Sequence, residues 1–321
     1  MSTTAPAQRT VQRASPGYLH DVLFWSGERD FLTQTAAFVM HGVSAGEPVL
    51  VAVPEPRSRA LQRHLGRAAV DVRFVDMAAL GGNPACIIDA WSQFADECGE
   101  RPSRGIGEPL WAGRREAEVA ECQLHEALLN VAIGPDRPLW LRCPYDAQGL
   151  PDPVLEHAMR RHPYVAATDG GAAASATYAG DVLGIEEFSE ALPEPTTTPV
   201  VRSVGDGAAL RSLRDLVVHS AMLTGVDEER AADLGLAVHE LAVNTITHGG
   251  GTGRLRLWRE RGALVCEVSD EGVVDNPLAG RHQPEQEAPQ GRGLWMVNQL
   301  CDLVQLRSGP QGTQVRIHTW L

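Results

Sequence analysis

Three short polar segments follow one another in the last third of the chain, and their order restricts the fold more than any other feature. Glu240 and Asn244 lie on a helical pattern, Asp270-Glu-Gly272 follows an apolar strand pattern, and Gly291-Arg-Gly-Leu294 opens another helical run. A magnesium nucleotide requires three kinds of group: a side-chain oxygen for the metal, a carboxylate for the base and glycine amides for the phosphates. Residues 240–294 supply all three. The pattern predicts a domain that binds ATP with Mg2+.

Composition limits the class of protein. The chain has 321 residues, enough for two domains that each bury a core. Its net charge of -13, without a dense Lys/Arg stripe, argues against direct binding of nucleic acid. There is no apolar run of membrane-spanning length and no apolar stretch of a secretory signal, so we expect a cytoplasmic protein. The six cysteines form no CxxC pair, and we expect reduced, mostly core-packed thiols.

Composition also suggests where the domains begin and end. We expect a disordered N-terminal tail over 1–17, a domain over 18–165, a linker rich in small residues and proline over 166–203, and a domain over 204–321. Strand and helix patterns alternate in the first domain, which predicts an α/β fold with a parallel sheet. The second begins with helices and ends in strands, which predicts an α+β sandwich with helices on one face of an antiparallel or mixed sheet.

One face of a helix in the second domain carries three polar side chains. Glu240, Asn244 and His248 are spaced at i, i+4 and i+8. The Asn amide oxygen could complete the shell of a magnesium ion held mainly by phosphates. The carboxylate one turn earlier could orient or deprotonate an attacking hydroxyl or water. A solvated polar stripe on a surface helix is an equally good interpretation of these residues taken alone.

The acidic and glycine-rich segments complete the predicted nucleotide site. Asp270 could accept the adenine amino hydrogen, and the glycine that follows would let the base approach the backbone. The amides around the second glycine pair could bind phosphate at a helix N-terminus, and the Thr hydroxyl of the last hairpin could reach a phosphate. Ordinary turns and helix caps use the same residues. The candidates in these segments are Asp270, Gly272, Gly291, Arg292, Gly293, Leu294 and Thr313. The polar segment 276–290 between them is expected to form a mobile lid.

Because of these segments and their order, residues from about 205 to 321 resemble the GHKL, or histidine-kinase-like, ATPases. The resemblance is specifically to the kinase domain of bacterial anti-sigma factors. The resemblance implies Glu240 as general base, Asn244 as magnesium ligand and Asp270 as adenine anchor, with the glycines and Thr313 around the nucleotide. It further implies a protein serine/threonine kinase that phosphorylates an anti-anti-sigma (STAS-type) partner, binds a sigma factor, or does both.

Two other functions remain open. A sensor histidine kinase shares the ATP fold but needs a phosphoacceptor histidine upstream, and His219 is the only nearby candidate, without the acidic residue that usually follows it. A nucleotide-gated binding module would hold ATP without turnover. Dimer formation also stays open.

Residues 18 to about 165 are similar to the MEDS family, a methanogen/methylotroph sensory domain. The similarity rests on stretches that include Phe24-Trp25, Gly107-Glu-Pro-Leu-Trp111 and Cys143-Pro-Tyr-Asp146. It implies a RecA-like sheet that has lost its phosphate loop, and no GxxxxGK[ST] motif follows any strand. We therefore expect this domain to sense a small molecule of unknown identity. Residue types that could line its pocket are His20, Trp25, Glu108, Trp111, His125 and Tyr145. No metal-ligand spacing occurs in this domain.

Overall fold

The computed structural model describes residues 17–167, 170–180, 182–205, 207–284 and 291–321, with side chains described outside 182–185 and 207–209. The predicted tail therefore lies outside the described residues except for Gly17. The described chain forms two compact units, one from the residues of Met1–Gly81 and Ala90–Leu183, the other from Gly82–Asp89 and Gly184–Leu321.

The first unit is built on a sheet of seven strands in the described chain, in the order β3-β2-β4-β5-β1-β6-β7. The strands are β1 Leu19–Trp25, β2 Val49–Val53, β3 Val72–Asp76, β4 Ser103–Gly107, β5 Leu139–Asp146, β6 Tyr164–Ala166 and β7 Ala172–Ala174. The helices are α1 Glu28–Ser44, α2 Glu55–Leu65, α3 Met77–Leu80, α4 Ile87–Cys98, α5 Glu116–Ala132 and α6 Asp152–Arg161, with a 3-10 turn at Gly66–Asp71. A second 3-10 turn, Pro84–Cys86, and the first three residues of α4 fall in the other unit.

The strands β1 to β6 pair in parallel, and β7 adds one antiparallel edge strand. Every residue of β2 (Val-Leu-Val-Ala-Val) is buried, as expected of a strand covered on both faces. The prediction of an α/β fold with a parallel sheet is thus confirmed. The short antiparallel hairpin of β6 and β7 at the sheet edge was not predicted. Its last strand lies in the tract predicted as linker.

The second unit contains the remaining elements. They are α7 Val182–Ser189, β8 Val200–Val204, α8 Gly207–Leu223, α9 Glu228–His248, β9 Gly253–Glu260, β10 Ala263–Asp270, α10 Arg292–Leu300, β11 Leu303–Gly309 and β12 Gly312–Trp320. Each strand pairing in its five-stranded sheet, of order β11-β12-β10-β9-β8, is antiparallel. The predicted α+β sandwich is confirmed, and the sheet is antiparallel rather than mixed.

Helices α8, α9 and α10 pack their apolar stripes against one face of this sheet. Residues such as Val217, Val238 and Val297 are fully buried in a core shared with Val315 and Ile317 of β12. Side chains alternate along a strand, so Gln314 and Arg316 of β12 face the opposite side. The helices therefore occupy one face only, as the sequence predicts.

A proline-rich tract of the predicted linker lies on that opposite side. The Gln314 side chain accepts a hydrogen bond from the Leu192 amide at 3.1 Å, and Arg316 donates to the Pro193 carbonyl at 2.7 Å. The Thr196 hydroxyl donates to Glu260 at 2.7 Å. These bonds fix a segment that composition alone marks as a spacer. In the described part of the chain, no helix has the length and apolar character needed to cross a bilayer.

Candidate nucleotide site

A cavity of about 360 Å³ opens in the second unit where α9, the end of β10 and the start of α10 meet. Three of the predicted segments contribute to its wall, although they are far apart in sequence. The predicted residues that line it are Asn244, His248, Asp270, Gly272, Gly291, Gly293, Leu294 and Thr313. Glu240 and Arg292 are not among the lining residues.

Helix α9 sets the first wall of the cavity. Asp227 caps its N-terminus by accepting a hydrogen bond from the Arg230 amide at 3.0 Å, and Gly249 ends it. These two ends set the length of the helix, and burial of its apolar face sets its rotation. The half-buried Asn244 and the exposed His248 face the cavity. Asn244 and His248 of the predicted polar face thus line the cavity, whereas Glu240 does not.

Asp270 is held at the end of β10 by two donors. The Thr245 hydroxyl donates to one carboxylate oxygen at 2.7 Å, and the Gly272 amide donates to the other at 2.9 Å. A carboxylate has about four acceptor positions, so capacity remains for a further donor from a ligand. Thr245 is a site residue that the sequence analysis missed, because a threonine inside a helix gives no local signal that it supports a distant carboxylate.

Glycine at position 249 allows the helix end to approach this carboxylate. A Cβ on Gly249 would overlap the Asp270 side chain, and a Cβ on Gly272 would lie 2.7 Å from the Gly249 Cα. Real Cβ atoms do not approach heavy atoms this closely, so both positions require glycine, which has no Cβ. Gly249 is not among the site residues predicted from the sequence, and its role in the cavity wall follows from the structure.

The second glycine pair forms the start of α10. Gly291 precedes the helix with φ of 92°, a left-handed conformation that glycine adopts without strain. A Cβ on Gly293 would lie 3.3 Å from the Glu240 carboxylate and 3.4 Å from the Asn244 amide. The side chains of Glu240 and Asn244 therefore converge on the first turn of α10, and the amides at a helix N-terminus suit an anionic group. Arg292 is exposed beside them.

Thr313 lies at the Asp270 end of the cavity. Its hydroxyl donates to the Gly272 carbonyl at 2.8 Å and is 2.9 Å from the Ser308 hydroxyl. It therefore supports the turn after Asp270. The 276–290 segment predicted as a lid is described only to residue 284, and 285–290 fall outside the described residues.

The rest of the cavity wall is apolar, which suits the flat faces of a nucleobase. Together with a carboxylate at one end and helix amides at the other, this lining fits a molecule with a base and phosphates. Asn244 offers the neutral oxygen that a hard cation such as Mg2+ accepts. The apolar lining residues are Leu241, Val268, Val273, Val274, Leu294, Leu306 and Val315.

The first unit contains a separate cavity of about 540 Å³ at the carboxyl ends of β1 and β5. Trp25 and Asp146 line it, and the Arg57 guanidinium lies 5.1 Å from the Trp25 ring. Glu108 is fully buried nearby, with a carboxylate oxygen 3.0 Å from Arg57. Burial raises the pKa of Glu108 to about 8, although Arg57 opposes the shift. Ligands in open α/β sheets bind at this edge.

The six predicted sensory residues do not share one pocket. Trp25 and Glu108 lie at the edge just described, whereas His20 and Tyr145 are buried on β1 and β5 around Glu126 of α5. Trp111 stacks on the Arg114 guanidinium, and His125 is buried in α5. The six candidates thus have different surroundings, and Trp25 is the one that lines the cavity at this edge.

The fold and the two cavities define a two-domain protein with an α/β domain followed by an α+β domain. Comparison with known families identifies the first as MEDS, the MEthanogen/methylotroph, DcmR Sensory domain, over residues 19–163, and the second as a histidine kinase-like ATPase domain over 205–319. The chain thus carries both domains, as the sequence resemblance implies.

Comparison with curated proteins finds no match. Among solved structures, the RsbU and RsbW domains of Rv1364c from Mycobacterium tuberculosis are similar, with 20% identity and a TM-score of 0.30. The similarity covers 39% of this chain and 32% of that chain.

Proposed function

We propose that this protein is a signalling kinase of the anti-sigma type, whose second domain transfers a phosphoryl group from ATP to a serine of an anti-anti-sigma (STAS-type) protein. The observation that carries the proposal is the convergence of Asn244, Asp270 and the Gly291/Gly293 turn on one cavity. The N-terminal MEDS domain would set the activity in response to a small molecule. Binding of a sigma factor belongs to the same proposal.

Each end of the cavity suits one part of ATP. Asp270 would accept a hydrogen from the adenine amino group, with the apolar wall around the base. Asn244 and the α10 amides would hold the phosphates and Mg2+, which neutralises phosphate charge when bound. Glycine at 291 and 293 leaves the backbone accessible for this contact.

Glu240 is proposed to act on the acceptor hydroxyl. Its carboxylate lies beside Gly293, at the phosphate end of the cavity and away from Asp270. As the serine oxygen forms its bond to the γ-phosphorus and the bond to the bridging oxygen of ADP breaks, Glu240 takes the serine proton. The position outside the cavity lining fits a group that contacts the acceptor rather than the nucleotide.

The experiment compares Glu240→Gln with Glu229→Gln, an exposed glutamate in the first turn of the same helix. Partners are identified by co-purification and mass spectrometry, and each variant is then mixed with the partner and labelled ATP. We expect ATP affinity within a few-fold of wild type for both, and a loss of about 10²–10⁴-fold in phosphorylation rate only for Glu240→Gln. Equal rates for Glu240→Gln and wild type would refute the role of Glu240.

The same assay separates the alternatives. A binding module that uses ATP as a ligand would bind ATP in every variant and label no partner. A histidine kinase would label itself without a partner, and His219, which is exposed on α8, would be the residue modified. Loss of labelling in His219→Gln would support that alternative.

A further inference from the structure

Four side chains of the first domain, none of which belongs to the nucleotide site, meet in a fully buried cluster. His20 of β1, Glu126 of α5, Cys143 of β5 and His162 at the end of α6 each offer one atom, and these atoms all lie within 4.8 Å of one another. None of the four is more than 1% exposed. They come from four separate elements that are far apart in sequence, so no sequence motif indicates that they form a site.

The geometry within the cluster is that of a coordination shell. The Glu126 Oε2 atom lies 3.1 Å from His20 Nε2, 3.3 Å from His162 Nε2 and 3.6 Å from the Cys143 sulfur, and that sulfur is 3.3 Å from His20 Nε2. Bonds of about 2.0–2.3 Å to a tetrahedral ion place its donors about 3.3–3.8 Å apart. The separations of 3.3 and 3.6 Å lie in this range, the 3.1 Å separation is slightly shorter, and the other pairs lie within 4.8 Å.

The outer nitrogens of both histidines are already committed as donors. His162 Nδ1 lies 2.7 Å from the Ala158 carbonyl, which can only accept. His20 Nδ1 lies 2.9 Å from Asn130 Oδ1, and the amide is oriented because its nitrogen donates to the Arg161 carbonyl at 2.8 Å. Each neutral ring therefore carries its lone pair on Nε2, directed at the cluster. Metal-binding histidines are held in this way by their other ring nitrogen.

Without a cation the Cys143 thiol is a weak donor to Glu126, at 3.6 Å, among three groups that accept. The two lone pairs on Nε2 face the Glu126 carboxylate, and His162 Nε2 makes no hydrogen bond among the described residues. Protonating both rings would place two positive charges with ring centroids 4.2 Å apart in a buried site. One divalent ion gives every inner atom a partner at once. Tyr145 donates to the outer Glu126 oxygen at 3.0 Å and fixes the carboxylate.

We propose that His20, Glu126, Cys143 and His162 bind one transition-metal ion, and that the N2OS donor set is best suited to Zn2+. All four positions are filled by protein groups that water does not reach. The site is therefore closed, of the kind that stabilises a fold and takes up its ion as the domain folds. Metal occupancy would then determine whether the sensory domain is formed.

The first test measures metal in the full-length protein, purified without chelators from zinc-supplemented cells. We expect about one Zn2+ per chain by mass spectrometry, and a thiolate-to-metal absorption band when the unfolded protein is refolded with Co2+. Wild-type protein with neither zinc nor the cobalt band would overturn the proposal without reference to any variant.

The second test uses matched variants. Cys143→Ser and His162→Gln should lose the ion, whereas Cys122→Ser and His125→Gln, buried neighbours on α5 outside the cluster, should retain it. Asn130→Ala removes the support for His20 and should weaken affinity by about 10–100-fold in a chelator competition. Equal zinc content in Cys143→Ser and Cys122→Ser would contradict the assignment. If Cys143→Ser does not fold, the Asn130→Ala affinity and the wild-type cobalt spectrum decide.

Discussion

The Thr245 hydroxyl donates a 2.7 Å hydrogen bond to the Asp270 carboxylate, and so connects the inner face of α9 to the end of β10. This bond orients the group proposed to recognise adenine. Removing the donor in Thr245→Val should weaken ATP binding by about 10–100-fold, because a hydrogen bond to a charged group is worth about 1.5–3 kcal/mol. Calorimetry measures the change. Thr247→Val is the matched control, since its hydroxyl bonds to the Val243 carbonyl within the helix; a similar loss in both variants would contradict the prediction.

Asp270 should also select the base. Guanine presents a carbonyl where adenine has its amino group, so two acceptors would face each other. The unmade bond costs about 1–3 kcal/mol in a buried site. We expect wild-type protein to prefer ATP over GTP by about 5–100-fold in calorimetry, and Asp270→Asn to reduce this preference. Equal affinities for the two nucleotides in wild type would refute the assignment.

Gly249 is required by contact rather than by backbone conformation. Its φ of -92° is available to any residue, yet a Cβ would overlap the Asp270 carboxylate. Gly249→Ala should displace that carboxylate and reduce ATP affinity at least 10-fold while the domain stays folded by circular dichroism. Gly205→Ala is the control, because nothing lies within 4 Å of its Cβ position. An unchanged affinity in Gly249→Ala would show that the helix end can move aside.

Asn244 should link nucleotide affinity to magnesium. Its side chain lines the cavity and lies close to the first turn of α10. Asn244→Ala should remove most of the gain in ATP affinity that Mg2+ gives to wild type, while affinity without Mg2+ changes little. Titrations with Mg2+ and with a chelator test this. Glu229→Gln, an exposed side chain in the first turn of α9, is the control; the same Mg2+ dependence in Asn244→Ala and wild type would rule out the metal contact.

Glu108 should make stability depend on pH. Burial raises its pKa to about 8, against the opposing charge of Arg57 and with a contribution from Asp146. A raised carboxyl pKa means that the folded state holds the proton more tightly than the unfolded state. The stability that this protonation gives to the folded state is complete below about pH 4.5 and is lost as pH rises to about 8. The free energy of unfolding falls by at most about 1.4 kcal/mol per pH unit in this window.

The variant Glu108→Gln is neutral at every pH and should lack this slope. The melting temperature of wild type relative to Glu108→Gln should therefore fall between pH 5 and pH 8 and level off above it. Glu97→Gln breaks the exposed pair with Arg73 and is the control for losing an ion pair. If the difference in melting temperature between wild type and Glu108→Gln does not change with pH, the predicted effect of Glu108 is contradicted.

Local patterns were sufficient for the elements that carry most of the fold. The alternating apolar residues of β9 and β10, the capped run of α9 and the glycine before α10 each specify their element, because strand alternation, helix periodicity and caps depend on neighbours in sequence. The order of those elements also indicated the two fold classes. The strands β4, β6, β7 and β8 were missed. The buried β4 (Ser-Arg-Gly-Ile-Gly) has little apolar pattern, and the short strands β6, β7 and β8 form only where a sheet accepts them.

Tertiary structure alone decided which side chains meet. Asn244 and Asp270 belong to recognisable segments, but the support of Asp270 by Thr245 depends on how α9 packs against the sheet. His20, Glu126, Cys143 and His162 show no ligand spacing, and the parallel pairing of β1 with β5 brings two of them together. The proline-rich tract near Thr196 lies fixed on a sheet face that its composition did not predict. Sequence determines what each segment prefers locally, whereas distances between segments follow from packing, which no local pattern encodes.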